Sequence, residues 1–167
     1  AEVDRVRLVV TEVETGEERC VEQCGGELAD ATADRRRDWN FIIKDFPIHR
    51  LEFAKQLEDK KDYNLILLSN TNEMHIDYIK ENVPFYNEFK DCFDKFYLSH
   101  EINLRKPNLD IYQFVLNDNN LKANECLFID DTTDNTNSAS TLAIHTWNIN
   151  ETKEDDVNLF DIKKELF

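Results

Sequence analysis

Apolar residues beyond about position 48 follow two alternating patterns. A spacing of three residues from Ile48 to Leu57 predicts an amphipathic helix, because residues so spaced share one helical face. The unbroken apolar run at 65–68 is too short for a helix and predicts a buried strand. The alternation continues and predicts further elements in this order: a helix marked by Met74, Tyr78 and Ile79, a strand at 95–98, a helix after Pro107 that contains Ile111, Phe114 and Val115, a strand at 126–129, a short helix at about 135–142, a strand at 144–149 and a closing amphipathic helix at 157–166.

Strands that alternate with helices in this way are joined by right-handed crossovers and form a parallel sheet with helices on both faces. The expected fold class is therefore α/β, a doubly wound and mainly parallel sheet. Ligand sites of such sheets lie at the carboxyl ends of the strands. Ser69-Asn70-Thr71 and Asp130-Asp131 each follow a predicted strand directly, so we expect both clusters at the same edge of the sheet.

The composition changes abruptly near residue 38. The residues before it include six arginines and all three glycines but no lysine, isoleucine, phenylalanine or asparagine, and these four types are abundant afterwards. Residues 1–38 are therefore interpreted as a distinct segment, a graft or remnant, beside a core at 39–167; chance drift over a short stretch is the alternative. Residues 6–13 and 17–21, with a turn between them, predict a β-hairpin.

The net charge of the chain limits the classes of partner that it can bind. The 167 residues are 41% hydrophobic and carry a formal net charge of -15. This length and apolar content suit one domain with a substantial core. The negative charge argues against nucleic acid and anionic membranes as partners, since both are anionic themselves. No apolar stretch could cross a bilayer and no leader-like segment opens the chain, which predicts a cytoplasmic protein and leaves the oligomeric state open.

Cysteines, histidines and aromatic residues lack the patterns typical of zinc or base-stacking sites. The four cysteines have no paired spacing, and Cys92 and Cys126 fit as buried, reduced thiols. His75 and His145 have no metal-ligand partner at suitable spacing, and we expect them on a helix surface and in a strand. The aromatic residues at 85–97 are expected in the core, because the segment has more acidic than basic residues and so lacks the basic patch that nucleic acid requires.

A short apolar run ends in two adjacent carboxylates, Asp130 and Asp131. Two like charges at the end of a buried strand are costly unless a cation compensates them. Mg²⁺ prefers oxygen ligands and often takes one or two carboxylates from the protein. The pair therefore indicates a metal-assisted reaction, although a turn followed by a helix cap would explain the same residues.

Three clusters occur in a fixed order, each beside a predicted element: Ser69-Asn70-Thr71 after a strand, Lys106-Pro107 before a helix, and Asp130-Asp131 with Asn135 after another strand. In order and setting they resemble the second, third and fourth motifs of the haloacid dehalogenase-like hydrolases. The resemblance covers about residues 39–167. It implies that Asn135 orders the loop that follows the paired carboxylates.

The resemblance also implies roles for the other residues of these clusters. The Ser69 hydroxyl and the amide of Asn70 would bind the substrate phosphate, and Lys106 would be a fixed positive charge beside the phosphate and the attacking carboxylate. Asp130 would bind Mg²⁺, and Asp131 would complete the ion's shell directly or through water. Structural explanations remain for single residues: Ser69 and Asn70 could cap a helix, and Lys106 alone could be solvated surface.

The family's first motif, an apolar strand that ends in Asp-x-Asp, has no counterpart upstream. In the family, the first of these carboxylates attacks phosphorus, and its strand lies between the two strands that correspond here to 65–68 and 126–129. The strand-like candidate at 7–11 is followed by Glu12 and Glu14. Glu12 is one methylene longer than the nucleophile that it would replace, and such a shift of the reacting atoms is damaging.

Two further features depart from the family pattern. Arg7 is unfavourable in a central strand, and there is no room for the family's substrate-selecting cap between Thr15 and Trp39. The leading hypothesis is a Mg²⁺-dependent hydrolase of phosphate monoesters that acts on a small phosphorylated metabolite, with the nucleophile missing or replaced. The alternative is a noncatalytic scaffold or interaction protein that keeps the sheet. Dehalogenation is a lesser option, since the acidic cluster is typical of the metal-dependent relatives.

Overall fold

The computed structural model describes residues 7–10, 47–150 and 152–167. Its strands are β1 (Arg7–Val10), β2 (Ile66–Ser69), β3 (Lys95–Leu98), β4 (Cys126–Asp130) and β5 (His145–Asn148). Its helices are α1 (Ile48–Lys60), α2 (Glu73–Asn82), α3 (Tyr86–Asp91), α4 (Ser99–Ile102), α5 (Leu109–Asp118), α6 (Thr133–Ser140) and α7 (Leu159–Ile162). All neighbouring strands are parallel, in the order β3-β2-β1-β4-β5. This arrangement confirms the expected α/β fold class.

The central strand comes from the amino-terminal part of the chain. Val10 of β1 lies in register with Leu67 of β2 on one side and with Ile129 of β4 on the other. Because parallel strands occupy both of its edges, β1 has no edge left for the hairpin partner expected from the sequence. That partner, at 17–21, lies outside the described residues, and the division of the chain near residue 38 stays a prediction.

Side chains of β2 and β4 alternate between the two faces of the sheet. Ile66 and Phe128 pack in one core cluster with α5 and α6, whereas Leu67 and Leu127 pack in clusters that include α1. Every residue of β2 and β4 is buried, as in strands covered by helices on both faces. The ends of these two strands are therefore firmly held, and they carry the polar residues of the site.

Helix α2 departs from the burial expected for it. Its cap is Asn72, whose side chain accepts a hydrogen bond from the backbone N–H of His75 at 2.9 Å. His75 is 2% exposed and Met74 is 65% exposed, so the expectation of a surface histidine is wrong. The buried face defined by Ile76 and Ile79 also contains position 75, one helical turn before Ile79. Burial lowers the pKa of His75 to about 4.

The aromatic residues between 85 and 97 pack into the core, as expected. Phe93 makes edge-to-face contacts with Phe89 and Phe96, with ring centroids 4.9 Å and 5.8 Å apart. Helix α3, which no pattern predicted, contributes Tyr86 and Phe89 to this cluster. The aromatic residues thus serve packing.

The helix expected at 157–166 is divided. Helix α7 is flanked by the 3-10 turns Asp156–Asn158 and Lys164–Leu166. Lys163 leaves helical geometry, with φ −112° and ψ 29°, and so ends α7. Leu159 is fully buried and anchors the segment to the core.

Two other expectations concern thiols and membranes. Cys92 and Cys126 are buried and form no disulfide, which confirms the expectation for both. Within 47–150 and 152–167, no helix is both long and apolar enough to cross a membrane.

Candidate active site

Three of the polar side chains singled out by the sequence lie at or beside the carboxyl edge of the sheet. Ser69 is the last residue of β2, and Asp130 is the last residue of β4. Lys106 stands in the loop between α4 and α5. The exposed fraction is 4% for Ser69, 0% for Asp130 and 1% for Lys106. The alternative of a solvated Lys106 is therefore excluded.

Lys106 and Asp130 form a buried ion pair. The Lys106 Nζ lies 2.8 Å from Asp130 Oδ2, and neither side chain is exposed. The same Nζ lies 5.8 Å from the ring centroid of Phe128, within the range of a cation–π contact. A buried ion pair adds little net stability compared with apolar packing, because both charges lose their hydration. The pair lies at the carboxyl edge of the sheet, where folds of this class hold their ligands.

The Asp130 carboxylate is held by further donors. Its Oδ1 accepts from the backbone N–H of Thr132 at 2.8 Å, and Asn135 Nδ2 lies 3.1 Å from Oδ1 and 3.2 Å from Oδ2. Tyr112 supports this arrangement by donating its hydroxyl to the Asn135 carbonyl at 2.9 Å. Burial, together with the charge of Asp130, raises the pKa of Tyr112 and keeps its hydroxyl protonated. The contacts of Asn135 agree with the loop-ordering role expected for it.

Asn70 joins β2 to the lysine loop. Its Nδ2 donates to the Lys106 carbonyl and its Oδ1 accepts from the Lys106 backbone N–H, both at 3.0 Å. All of these groups are buried. The side-chain amide of Asn70 is therefore engaged in positioning Lys106. If Asn70 binds phosphate, the donor is therefore its backbone N–H.

Ser69 and Thr71, the residues on either side of Asn70, differ in their hydrogen bonds. Within the part of the chain that the structure describes, no hydrogen bond engages the Ser69 hydroxyl. Thr71, by contrast, is fixed by Ser99, whose Oγ accepts from the Thr71 N–H at 2.9 Å and donates to the Thr71 carbonyl at 3.0 Å. The loop is thus rigid, and the hydroxyl of Ser69 remains available to a ligand.

Asp131 completes the group of predicted site residues. It is half-buried, and its Oδ1 accepts from the Thr132 hydroxyl at 3.2 Å. Among the described residues, no three His, Cys, Asp or Glu side chains form a metal cluster. Two adjacent carboxylates without nitrogen or sulfur ligands fit Mg²⁺, which binds through one or two carboxylates and retains waters. The chemistry of these residues suits Mg²⁺. Asp131 is the more accessible ligand, because Asp130 is fully buried and its oxygens accept from Lys106, Thr132 and Asn135.

Three contributors were missed by the sequence reasoning: Ser99, Tyr112 and Asn148. Ser99 and Asn148 lie at the carboxyl ends of β3 and β5, and polar residues at these positions could have been flagged by the criterion that found Ser69. Tyr112 lies on the buried face of α5. Nothing in its spacing indicates that its hydroxyl reaches the Asn135 carbonyl.

Comparison with known proteins agrees with the fold. A model of the haloacid dehalogenase-like hydrolase family matches residues 32–164. The chain is 29% identical over 127 residues to D-ribitol-5-phosphate phosphatase from Bacteroides thetaiotaomicron, a match that covers 74% of this chain. The chain spans 59% of the length of that relative.

Solved structures show the same fold. A magnesium complex of a haloacid dehalogenase (HAD) family enzyme from Bacteroides thetaiotaomicron has a TM-score of 0.71 and 26% identity. The match covers 94% of this chain and 98% of that one. A predicted HAD-like hydrolase from Porphyromonas gingivalis has a TM-score of 0.68 and 21% identity, with 94% and 97% covered. Because the family model matches most of the sequence, the chain belongs to the haloacid dehalogenase-like hydrolases.

Proposed function

We propose that this protein is a Mg²⁺-dependent hydrolase of phosphate monoesters that acts on a small phosphorylated metabolite. The observation that carries the proposal is the buried Lys106–Asp130 pair, which lies at the same edge of the sheet as Ser69. Two comparisons support it: the curated relative is a sugar-alcohol phosphate phosphatase, and the similar solved enzyme binds magnesium.

Phosphoryl transfer spreads negative charge over the equatorial oxygens, so catalysis depends mainly on fixed donors and cations. In the proposed reaction, the Ser69 hydroxyl and the Asn70 backbone N–H bind phosphate oxygens. Lys106 supplies a cation whose position is set by Asp130 and by the clamp from Asn70. Mg²⁺ held by Asp130 and Asp131 would neutralise developing negative charge on the phosphate.

The carboxylate that would attack phosphorus is where this chain departs most from the family pattern. Strand β1 occupies the position expected for the nucleophile-bearing strand, and Val10 is level with Ile129, the residue before Asp130. Glu12 is the candidate nucleophile that follows in the sequence. It lies outside the described residues, and the sequence alone favours an exposed acid of the expected hairpin over a working nucleophile at this position.

The experiment compares hydrolysis of an aryl phosphate, with Mg²⁺, by three forms of the full chain. The first is the unaltered protein, the second carries Glu12→Asp and Glu14→Asp, and the third adds Asp130→Asn to the second. We expect the aspartates to increase kcat, because they restore the shorter nucleophile, and Asp130→Asn to abolish turnover.

A matched control is Asp134→Asn, which removes an exposed carboxylate close to Asp130. This control should retain turnover. Absence of turnover from the folded Glu12→Asp and Glu14→Asp form would contradict the proposed hydrolase.

A noncatalytic scaffold is the second candidate, because glutamates stand where the family has Asp-x-Asp. A scaffold that has lost the chemistry predicts no stabilisation by Mg²⁺. A ligand that binds only the folded state stabilises it by about 2.7 kcal/mol at one hundred times its Kd. A rise in Tm with Mg²⁺ that disappears in Asp130→Asn would therefore argue against the scaffold.

A further inference from the structure

We propose that Asn148 is a positioning residue for the metal site: from the neighbouring strand it fixes the backbone on both sides of Asp131. The inference deepens the proposed function and depends on its metal site. Asn148 belongs to none of the three motif clusters, and its role is inferred from the contacts around the carboxyl end of β4.

Asn148 is the last residue of the edge strand β5 and lies in register with Asp130. Its Nδ2 donates to two successive carbonyls, that of Asp130 at 3.1 Å and that of Asp131 at 2.8 Å. The backbone N–H of Ile149 also donates to the Asp130 carbonyl, at 3.1 Å. One amide nitrogen thus bridges both peptide units that meet at Asp131.

This bridging geometry has a direct effect on Asp131. Peptide units are planar, so only φ and ψ of Asp131 set the angle between the two units that flank it. Holding both carbonyl oxygens at one nitrogen therefore restricts φ and ψ, and with them the direction in which the Asp131 side chain leaves the backbone. Asp130 depends less on this restraint, because Lys106, Asn135 and the Thr132 N–H hold its carboxylate directly.

Thr133 sets the orientation of the Asn148 amide. Its hydroxyl donates to Asn148 Oδ1 at 3.0 Å, which directs Nδ2 toward the two carbonyls. Thr133 is the first residue of α6, so these contacts tie the end of β5, the carboxylate turn and the start of α6 together. Both Thr133 and Asn148 are exposed. Replacing either one leaves no buried cavity, and a change in metal binding is then not a consequence of core damage.

The experiment measures the Kd for Mg²⁺ by calorimetry and the rise in Tm with Mg²⁺, on the full chain. The variants are Asn148→Ala, Thr133→Val and their combination. Residues that support metal ligands typically change metal affinity by about 10- to 100-fold, and we expect about a tenfold increase in Kd for Asn148→Ala. Thr133→Val should give a smaller increase. The double variant should match Asn148→Ala, because both changes remove the same restraint.

The matched control is Asn137→Ala, an exposed asparagine of α6 whose side chain makes no hydrogen bond with the described residues. Its Kd should equal that of the unaltered protein. An unchanged Kd in both Asn148→Ala and Thr133→Val would overturn the positioning role while Mg²⁺ binding, and with it the proposed function, still stands. If the unaltered protein shows neither heat of binding nor a Tm shift with Mg²⁺, the metal site and this inference fail together. If Asn148→Ala does not fold, the Kd of Thr133→Val for Mg²⁺ alone decides whether the positioning role stands.

Discussion

The side chain of Asn70 holds the backbone of Lys106 through two hydrogen bonds, each 3.0 Å long. The pairing imitates that of two neighbouring strands, with one donor and one acceptor on each side. It connects the end of β2 to a loop that carries the buried ammonium group. The position of Lys106 thus depends on a residue 36 positions earlier in the chain.

Asn70→Ala should displace Lys106 and destabilise the fold. Two buried backbone groups lose their partners, at about 1–3 kcal/mol for each unsatisfied group. A displacement of the lysine by about 1 Å is enough to reduce kcat/KM by about 100-fold, even though the substitution keeps the backbone N–H at this position. Urea unfolding and steady-state kinetics measure the two effects.

The control for this variant is Asn72→Ala in the same loop. It removes the cap of α2, at about 1 kcal/mol, without breaking the bonds between Asn70 and Lys106. If Asn70→Ala loses no more stability than Asn72→Ala and keeps its kcat/KM, Asn70 does not position the lysine.

Lys106→Met should destabilise the protein by about 3–5 kcal/mol, because it leaves the fully buried Asp130 without its cation. Adding Asp130→Asn removes the uncompensated charge. The double variant should therefore be more stable than Lys106→Met alone, as measured by urea unfolding. Additive losses in the double variant would show that the two side chains are not energetically coupled.

Sequence patterns were sufficient for the parts of the site that local order defines. Apolar runs that end in Ser69 and Asp130 identify buried strands, and parallel strands bring their carboxyl ends to one edge. Lys106 comes directly before Pro107, which marks the start of a predicted helix, so the sequence places the lysine in the loop before α5. For these residues, the position within an element determines the position in the site.

Which strands pair, and which helix face is buried, could be seen only in the three-dimensional structure. β-branched residues indicate a strand but do not distinguish a hairpin from a parallel central strand, so the sequence predicts a hairpin where the structure has the central strand β1. Arg7, expected to be unfavourable in a central strand, belongs to β1. His75 is expected on the helix surface because it has no metal-ligand partner at suitable spacing, yet it lies on the buried face of α2. The partners of Asn70 lie in another loop, and no spacing encodes such a contact.

Tyr112→Phe should weaken the support of the carboxylate loop. The Asn135 carbonyl loses the hydroxyl donor, at about 0.5–1.5 kcal/mol for a typical hydrogen bond, while the edge-to-face contact of the ring with Phe128 is kept. The Mg²⁺-induced rise in Tm should become smaller, since Asn135 also donates to Asp130. Thermal unfolding with and without Mg²⁺ measures both effects.

Tyr97→Phe is the matched control for the tyrosine variant. It also removes a hydroxyl, one that donates to Asp118 and accepts from Asn119, but it touches neither Asn135 nor Asp130. It should lower the Tm without changing the shift caused by Mg²⁺. Equal shifts in the two variants would contradict a role for Tyr112 at the site.

A second group of titratable residues connects the start of α1 with the turn before α7. Asp155 lies 2.8 Å from His49 Nε2 and 3.3 Å from Arg50 Nε, while Asp156 Oδ1 is 3.5 Å from the same Arg50 nitrogen. Burial and the adjacent Asp155 raise the pKa of Asp156 to about 7. Although burial opposes it, hydrogen bonds from Asp156 and His49 hold the pKa of Asp155 below its usual range.

Asp156 and His75 have opposite effects on stability as the pH changes. Folded Asp156 keeps its proton up to about pH 7, whereas its ordinary pKa is 3.8, so unfolding releases a proton in that range and stability falls as the pH rises. Folded His75 stays neutral down to about pH 4, whereas its ordinary pKa is 6.5, so stability falls as the pH drops through that range. The two slopes partly cancel between about pH 4 and 6.5.

Single substitutions should separate these slopes. Asp156→Asn removes the decline toward pH 7, so the free energy of unfolding should rise more steeply from pH 4.5 to 6.5 than in the unaltered protein. His75→Gln removes the opposite contribution, about 3 kcal/mol for the shift of its pKa to about 4, and should leave stability falling toward pH 7. Urea unfolding at several pH values gives the slopes, with the exposed Asp134→Asn as the control whose curve stays parallel to the original. Parallel curves for all variants would mean that neither Asp156 nor His75 changes its protonation on folding, because a difference in bound protons is what makes stability depend on pH.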